Sequence, residues 1–234
     1  MAMKKLTSPK EGGGDWVHAT VKGALGAIPL AGGLAAELFG MIVAPPVAKR
    51  RNDWMEDVAH ELKVLEGKGA LSTKDLSTNE QFIDAVFQST HAAMRTSSAL
   101  KRAALRNAVL NTALRHAPDI AYQQMFLEFI ERFTEWHIRL LELFRDPRGW
   151  QKTNDITFPE LMAGGVSHII EHAFPELASK REFYRQVCKD LFATGLINTE
   201  SIGATMTWDG ILSKRTTDFG DNFLKFITTP AEGA

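Results

Sequence analysis

The chain has 234 residues, of which 44% are hydrophobic and 24% are charged, a composition typical of a globular protein with a sizeable core. Its formal net charge of −1 excludes a chain-wide electrostatic field that would attract nucleic acid or an anionic membrane. The single cysteine, Cys188, excludes an internal disulfide and favours a reducing compartment.

The N-terminal part contains an unusual apolar segment. Residues 1–14 are polar and Gly-rich, which predicts a disordered tail, and no apolar run directly follows their lysines, so we expect a cytoplasmic protein. Residues 23–48 carry Glu37 as their one charge before Lys49. The Pro-free run Leu30–Ala44 would span about 22 Å as a helix, less than the roughly 30 Å of a bilayer core. This segment is therefore a poor transmembrane helix.

Three interpretations of residues 23–48 stay open. The segment could lie on a membrane, form an oligomer interface through close Gly and Ala contacts, or be a buried core hairpin. The apolar residues that would make the membrane or oligomer contact are Leu30, Leu34, Leu38, Phe39 and Ile42.

Helical patterns fill the chain as far as Thr134. A helix is predicted from Pro45-Pro46 to about Leu65, ended by Gly67 and Gly69. The next helices are expected to start at Thr78-Asn79-Glu80-Gln81, at Ser97 or Ser98, and after Pro118. No strand pattern competes with them. Residues 15–134 are thus predicted to form a helical bundle, with a boundary near 134.

The C-terminal part carries further start and stop signals. Thr157-Phe158-Pro159-Glu160 predicts a helix reaching about Ala173, and Ser179-Lys180-Arg181-Glu182 predicts another that ends at Gly195. Asp209-Gly210 predicts the tight turn of a β-hairpin within 204–215. Thr217 is expected to cap a final helix, and residues 229–234 form a tail. The predicted fold class is mostly α, with an N-terminal bundle and one short hairpin.

This order of elements resembles a winged helix-turn-helix over residues 135–228. The stretch VCKDLFATGLI is similar to the end of a recognition helix, and RTTDFGDNFLKFI is similar to the helix after the wing. The resemblance implies a three-helix core with a β-wing that binds DNA or protein. The predicted helix at 180–194 would turn Phe183, Val187, Leu191 and Phe192 inward. The residues expected to bind a partner are Lys180, Arg181, Arg185, Gln186, Lys189, Lys214 and Arg215.

The whole chain also resembles the abortive-infection alpha (Abi-alpha) proteins of bacterial phage defence. The matching stretches are GAIPLAGGLAAELFG with PPVAKRR, STNEQFIDAVFQST and ALRNAVLNTAL. In that family an apolar N-terminal stretch precedes a helical bundle. The resemblance lends no catalytic residue.

The stretch HIIEH at residues 168–172 matches the pattern of inverted zinc peptidases. His168 and His172 would lie on one helix face, but the peptidase needs a third ligand on a separate helix. Glu176 is too near in the chain, Glu182 is predicted to face outward, and Glu200 is predicted to lie in a loop. We therefore reject a metal site here, and we predict no catalytic residue and no cofactor.

The sequence favours a non-enzymatic interaction protein, a candidate phage-defence component, whose winged-helix module docks a macromolecule. A protein partner or self-association is expected ahead of DNA. The alternatives are a membrane-acting effector that uses residues 23–48 and a DNA-binding transcriptional regulator.

Overall fold

The computed structural model describes residues 40–230. Within this range the chain is mostly helical, with one small antiparallel two-stranded sheet, which confirms the predicted fold class. The helices are α1 (Ala44–Gly67), α2 (Thr73–Leu76), α3 (Glu80–Arg95), α4 (Ala99–Ala113), α5 (Ile120–Arg132), α6 (Glu135–Arg145), α7 (Pro147–Asn154), α8 (Ser167–Ala173), α9 (Arg181–Ala193), α10 (Trp208–Ile211) and α11 (Asp218–Ile227). The strands are β1 (Ala163–Gly164) and β2 (Met206–Thr207).

The apolar segment lies mostly beyond this range. Leu30, Leu34, Leu38 and Phe39 are outside the described residues, whereas Ile42 is helical and exposed. Among the described helices, none has the length and apolar character needed to cross a bilayer.

Short polar side chains start several helices where the sequence predicts them. The side chain of Asn79 accepts a hydrogen bond from the Phe82 amide, one residue later than the predicted Thr78 cap. Ser98 accepts from the Lys101 amide and Thr217 from the Gly220 amide. Each cap satisfies an amide that lacks a partner within its helix.

Three helices end with the same backbone conformation, but one of them has a residue other than glycine at the position with positive φ. In α1, α4 and α9 the second residue past the helix has positive φ, and it is Gly69, Arg115 and Gly195 respectively. The amides that follow donate back to the last turn, as in His116 to the Asn111 carbonyl at 2.8 Å. Glycine adopts this conformation without strain, whereas a residue such as arginine is disfavoured there by about 1–2 kcal/mol.

Helix α4 lies at the centre of the core. Its residues from Asn107 to Ala113 are buried without interruption, and it packs against α3, α5 and α11. One cluster of buried apolar side chains runs from Trp54 to Ile227, and from Arg50 onward the chain forms one compact unit. Thr134 does cap α6, but the core is continuous across this predicted boundary.

The helix predicted from Thr157 to Ala173 is wrong over its first half. Residues 155–162 are not helical, and α8 begins only at Ser167. Phe158 is buried and stacks on Trp150 with ring centroids 6.1 Å apart. Ala163 and Gly164 pair with β2. Tertiary packing and strand pairing therefore outweigh the local capping signal, in a segment whose Gly164-Gly165 pair disfavours helix.

The predicted hairpin turn at Asp209-Gly210 is also wrong. The Thr207 side chain accepts from the Gly210 amide and caps α10, so both residues are helical. Met206 and Thr207 do form a strand, but their partner is β1, about forty residues earlier in the chain. The sheet is thus made by a long-range contact, and the described residues contain no wing at 204–215.

Two buried asparagines of α4 hold the end of α11. The Asn107 amide donates to the Ile227 carbonyl at 2.9 Å. The Asn111 amide donates to the carbonyls of Phe226 and Thr228, both at 2.9 Å. The last carbonyls of a helix have no partner within it, and burying them without one is unfavourable. These side chains therefore make the burial of the α11 C-terminus tolerable.

We expect Asn111→Ala to lower the free energy of unfolding by about 1–3 kcal/mol, because it removes the donor of the buried hydrogen bond to the Phe226 carbonyl and of the part-buried one to the Thr228 carbonyl. Urea unfolding measures the change. Asn154→Ala is the matched control, since that amide donates to Trp150 on the surface of its own helix, and it should shift stability by about 0.5 kcal/mol or less. Equal losses in both variants would contradict the assigned role of Asn111.

Candidate functional site

Three of the predicted partner-binding side chains line one cleft. Arg181, Arg185 and Lys189 are spaced four residues apart on α9, which places them in one row along the helix. Residues 200–203 line the same cleft, together with Ser167 at the start of α8, and its volume is about 340 Å³. The row of cations is thus part of a formed concave surface.

The buried Tyr184 fixes α9 against α8. Its hydroxyl donates to the Glu171 carboxylate at 2.6 Å, and the Arg181 guanidinium contacts the same carboxylate at 3.1 Å. Arg181 also donates to the Tyr184 hydroxyl at 3.2 Å. Burial alone would raise the pKa of Glu171, but these two hydrogen bonds, together with the positive charge of Arg181, outweigh it and lower the pKa. Arg181 is consequently held in place at one end of the cleft.

The opposite wall is positioned by backbone contacts. The Ser167 amide donates to the Ile202 carbonyl at 3.2 Å. A side chain at Gly165 would come within 2.9 Å of the same carbonyl, so only glycine allows this close approach. The β1–β2 pairing then ties this region to the segment that follows the wall.

The other cations of the row differ in their local pairing. Arg185 contacts Glu182 at 3.4 Å on the exposed surface of the helix, a pair that contributes little stability. Lys189 is exposed and has no ion-pair partner among the described side chains. Glu200 lines the cleft as well, so the surface carries both signs of charge.

The remaining predicted residues do not line the cleft. Lys180 is exposed just before α9, and Gln186 donates to the Asp190 carboxylate at 2.8 Å. Lys214 pairs with Asp221 on α11. These side chains therefore have local roles or lie to the side of the row.

The expectation that Arg215 binds a partner is wrong in this structure, because Arg215 is only 6% exposed. Its guanidinium donates to Thr199 Oγ1 at 3.0 Å and to the Gly210 carbonyl. Burial lowers the pKa of Arg215. This side chain joins the segment after α9 to α10 from the inside.

The inward face of α9 is rotated from the predicted one. Tyr184, Val187, Cys188 and Leu191 are buried, whereas Phe183 and Phe192 are 40% and 38% exposed. Phe192 lies seven residues after Arg185 and so extends the side of the helix that carries the cations. The spacing of 184, 187, 188 and 191 is itself a regular helical stripe, and it is the signal that would have identified this face.

The HIIEH residues are engaged in local contacts. His168 Nε2 lies 2.9 Å from the Pro159 carbonyl, and His172 Nδ1 lies 2.8 Å from the His168 carbonyl. Glu171 is occupied by α9, as described above. Across residues 40–230 no three His, Cys, Asp or Glu side chains are grouped in a way that could hold a metal ion.

Burial raises the pKa of the Cys188 thiol to about 12. At neutral pH this cysteine is therefore protonated and is not a nucleophile.

A buried histidine on α6 also contacts α9. The Thr134 amide donates to His137 Nδ1 at 3.1 Å, which completes a capping box, and the ring stacks on Phe133. His137 Nε2 lies 3.4 Å from Asp190 Oδ2. Burial lowers the pKa of His137, and Asp190 opposes this shift only in part. The neutral ring, with Nδ1 as acceptor and Nε2 as donor, fits both contacts.

No family model, curated protein or solved structure matches this chain.

We expect the contribution of His137 to the free energy of unfolding to decrease as the pH falls. An unfolded histidine takes up a proton near pH 6.5, about the reference pKa, while folded His137 resists it, so the unfolded state binds more protons. The contribution is present above about pH 6.5 and is lost as the pH falls through the lower folded pKa. His137→Gln retains a capping side chain without this titration, so its unfolding free energy, measured by urea between about pH 7.5 and 5, should decline less. Parallel declines in the two proteins would contradict the assignment.

Proposed function

We propose that the protein is a non-enzymatic interaction protein that docks an acidic segment of a partner protein along α9. The observation that carries this proposal is the row formed by Arg181, Arg185 and Lys189 along one wall of a formed cleft. A row of three cations about 6 Å apart matches carboxylates that repeat every turn of a partner helix.

The local contacts of the cations in the row support a docking role. Arg181 is held by Glu171 and Tyr184 before any partner arrives, so little side-chain freedom is lost when it binds. Lys189 has no competing ion pair among the described residues, so its positive charge is available to a ligand. Arg181 thus offers a ligand a fixed position to bind, and Lys189 offers an unpaired positive charge that attracts it.

The surroundings favour protein over nucleic acid. The exposed ring of Phe192 continues the cationic side of α9, and aromatic residues beside arginine are enriched at protein interfaces. Glu182 and Glu200 flank the row, so a ligand must place its negative charges opposite the cations and away from these carboxylates. Spaced carboxylates on a peptide can do this, whereas a continuous phosphate backbone cannot. A surface that carries both signs of charge binds best a partner whose charges are arranged in the complementary way.

DNA binding is the second candidate, and one observation favours it. The cations lie on one helix, α9, and in the winged helix-turn-helix resemblance over residues 135–228 the helix at this position would enter the major groove. This candidate lacks a wing at 204–215 among the described residues, and the basic residues predicted there do not face a ligand, since Arg215 is buried and Lys214 pairs with Asp221. We therefore place protein docking ahead of DNA binding.

The wider role stays a prediction. Participation in bacterial phage defence rests on the resemblance to the Abi-alpha proteins, and membrane action rests on residues 23–48, which lie mostly outside the described range.

We expect the double variant Arg185→Glu/Lys189→Glu to abolish binding of an acidic ligand, because it reverses two of the three charges in the row. The probe is a labelled helical peptide with glutamates and leucines at helical spacing, titrated by fluorescence anisotropy over a salt series. Wild-type binding should weaken as salt increases. Arg181 is left unchanged because it also supports the α8–α9 contact.

Lys63→Glu/Lys152→Glu is the matched control, since it changes the net charge equally at exposed positions away from α9. It should bind the peptide as the wild type does. Loss of binding in both variants, or retention in both, would overturn the assigned surface. Labelled random-sequence duplex DNA is titrated in parallel, and DNA binding that depends on Arg185 and Lys189 without peptide binding would replace protein docking by the second candidate.

A further inference from the structure

We propose that a second site, at the C-terminal end of α4, binds a small dipolar molecule of the amino-acid class between Arg115 and Asp75. This site is separate from the α9 cleft and does not depend on the docking function.

Two adjoining clefts form the site. Their volumes are about 550 and 210 Å³, and Asp75, Asn79 and Arg115 line both of them. Pockets that hold small molecules have volumes of about 300–1,000 Å³. The space next to Arg115 is therefore adequate for a compact ligand with two polar ends.

The backbone at Arg115 points to a role beyond folding. The chain ends α1 and α9 with Gly69 and Gly195 at the same position of the same motif, at φ of 73° and 74°, yet it places Arg115 there at φ of 58° after α4. The other non-glycine residue with positive φ in the described range is Asp155, and aspartate tolerates this conformation. Backbone strain of this kind is found at functional sites, and it gives the guanidinium at 115 a role in binding in this proposal.

The two opposite charges of the site are both unused. The side chains of Arg115 and Asp75 form no hydrogen bond or ion pair with any described residue, nor with each other. Both residues are exposed and line the same two clefts, so each charge is open to a ligand. A ligand that carries a carboxylate toward Arg115 and an ammonium toward Asp75 would pair both charges.

The walls of the site are held in place without the ligand. The Glu66 carboxylate accepts from the Thr73 amide and hydroxyl, at 2.9 and 2.6 Å, and so anchors the segment that carries Asp75. On the other side, Gln81 donates to Gln123 at 2.9 Å, and Thr112 donates to the same oxygen at 3.2 Å. Such a preformed frame reduces the ordering that binding would require.

The test is calorimetric titration of the full chain with single proteinogenic amino acids at millimolar concentration. At least one should bind, and its N-acetyl derivative and its methyl ester should each bind about 10–100-fold more weakly, because each lacks one of the two charges. Asp75→Asn should weaken binding of the free amino acid to a similar extent.

Arg115→Gly distinguishes a binding role from a structural one. Glycine relieves the backbone strain, so the midpoint of thermal unfolding should rise by about 2–4 °C while amino-acid binding is lost. Arg115→Asn, which tolerates positive φ, removes the guanidinium in the same way, and Lys74→Ala, beside Asp75 but outside both clefts, should bind as the wild type does. Failure of every amino acid to bind the wild type, or unchanged affinity in Arg115→Gly, would overturn the proposal.

Discussion

The contact between α4 and α11 is the constraint on which the rest of the structure depends. Helix α11 is the last element of the described range, yet it packs on both α4 and α6, and its phenylalanines surround Phe126. This contact places a helix end in the core, which is unfavourable unless its carbonyls are paired. The buried asparagines of α4 supply the donors. The two regions separated in the sequence at Thr134 are therefore one folding unit in the core, and the C-terminal helices are positioned by the N-terminal ones.

The orientation of α9 follows from this frame. The apolar face of α9 packs on α6, where His137 reaches Asp190, and its N-terminal turn is tied to α8 by Tyr184 and Glu171. Because these contacts fix the helix at both ends of its buried side, the opposite side is presented to solvent in one rotation. The packing of its apolar face therefore determines that the side of α9 carrying the cations faces solvent.

Local signals in the sequence predicted the local structure. Caps such as Ser98 and Thr217, and the stop at Gly195, act within a few residues and could be identified from residue type alone. The errors concern contacts between distant segments. The Thr157 capping signal competed with the burial of Phe158, and Asp209-Gly210 competed with pairing between β1 and β2. In α9 both Phe183 and Tyr184 could face inward, and hydrophobicity favours the phenylalanine. The buried tyrosine is accommodated because its hydroxyl donates to Glu171, the glutamate of the HIIEH stretch.

The basic residues show why composition does not determine a site. The sequence presents Arg115, Arg181, Lys189 and Arg215 as equivalent positive charges. In the folded chain Arg215 is buried and joins two segments, and Arg181 pairs with the Glu171 carboxylate. Lys189 has no ion pair among the described residues, and Arg115 has positive φ and lines a cleft that Asp75 also lines. Folding therefore gives each of these cations a different capacity for recognition. Arg181 is oriented by its contacts before a ligand binds, whereas Lys189 and Arg115 are exposed and keep their charges unpaired within the described residues. Arg215 is buried and donates to Thr199 and to the Gly210 carbonyl, so its charge is not presented to a ligand.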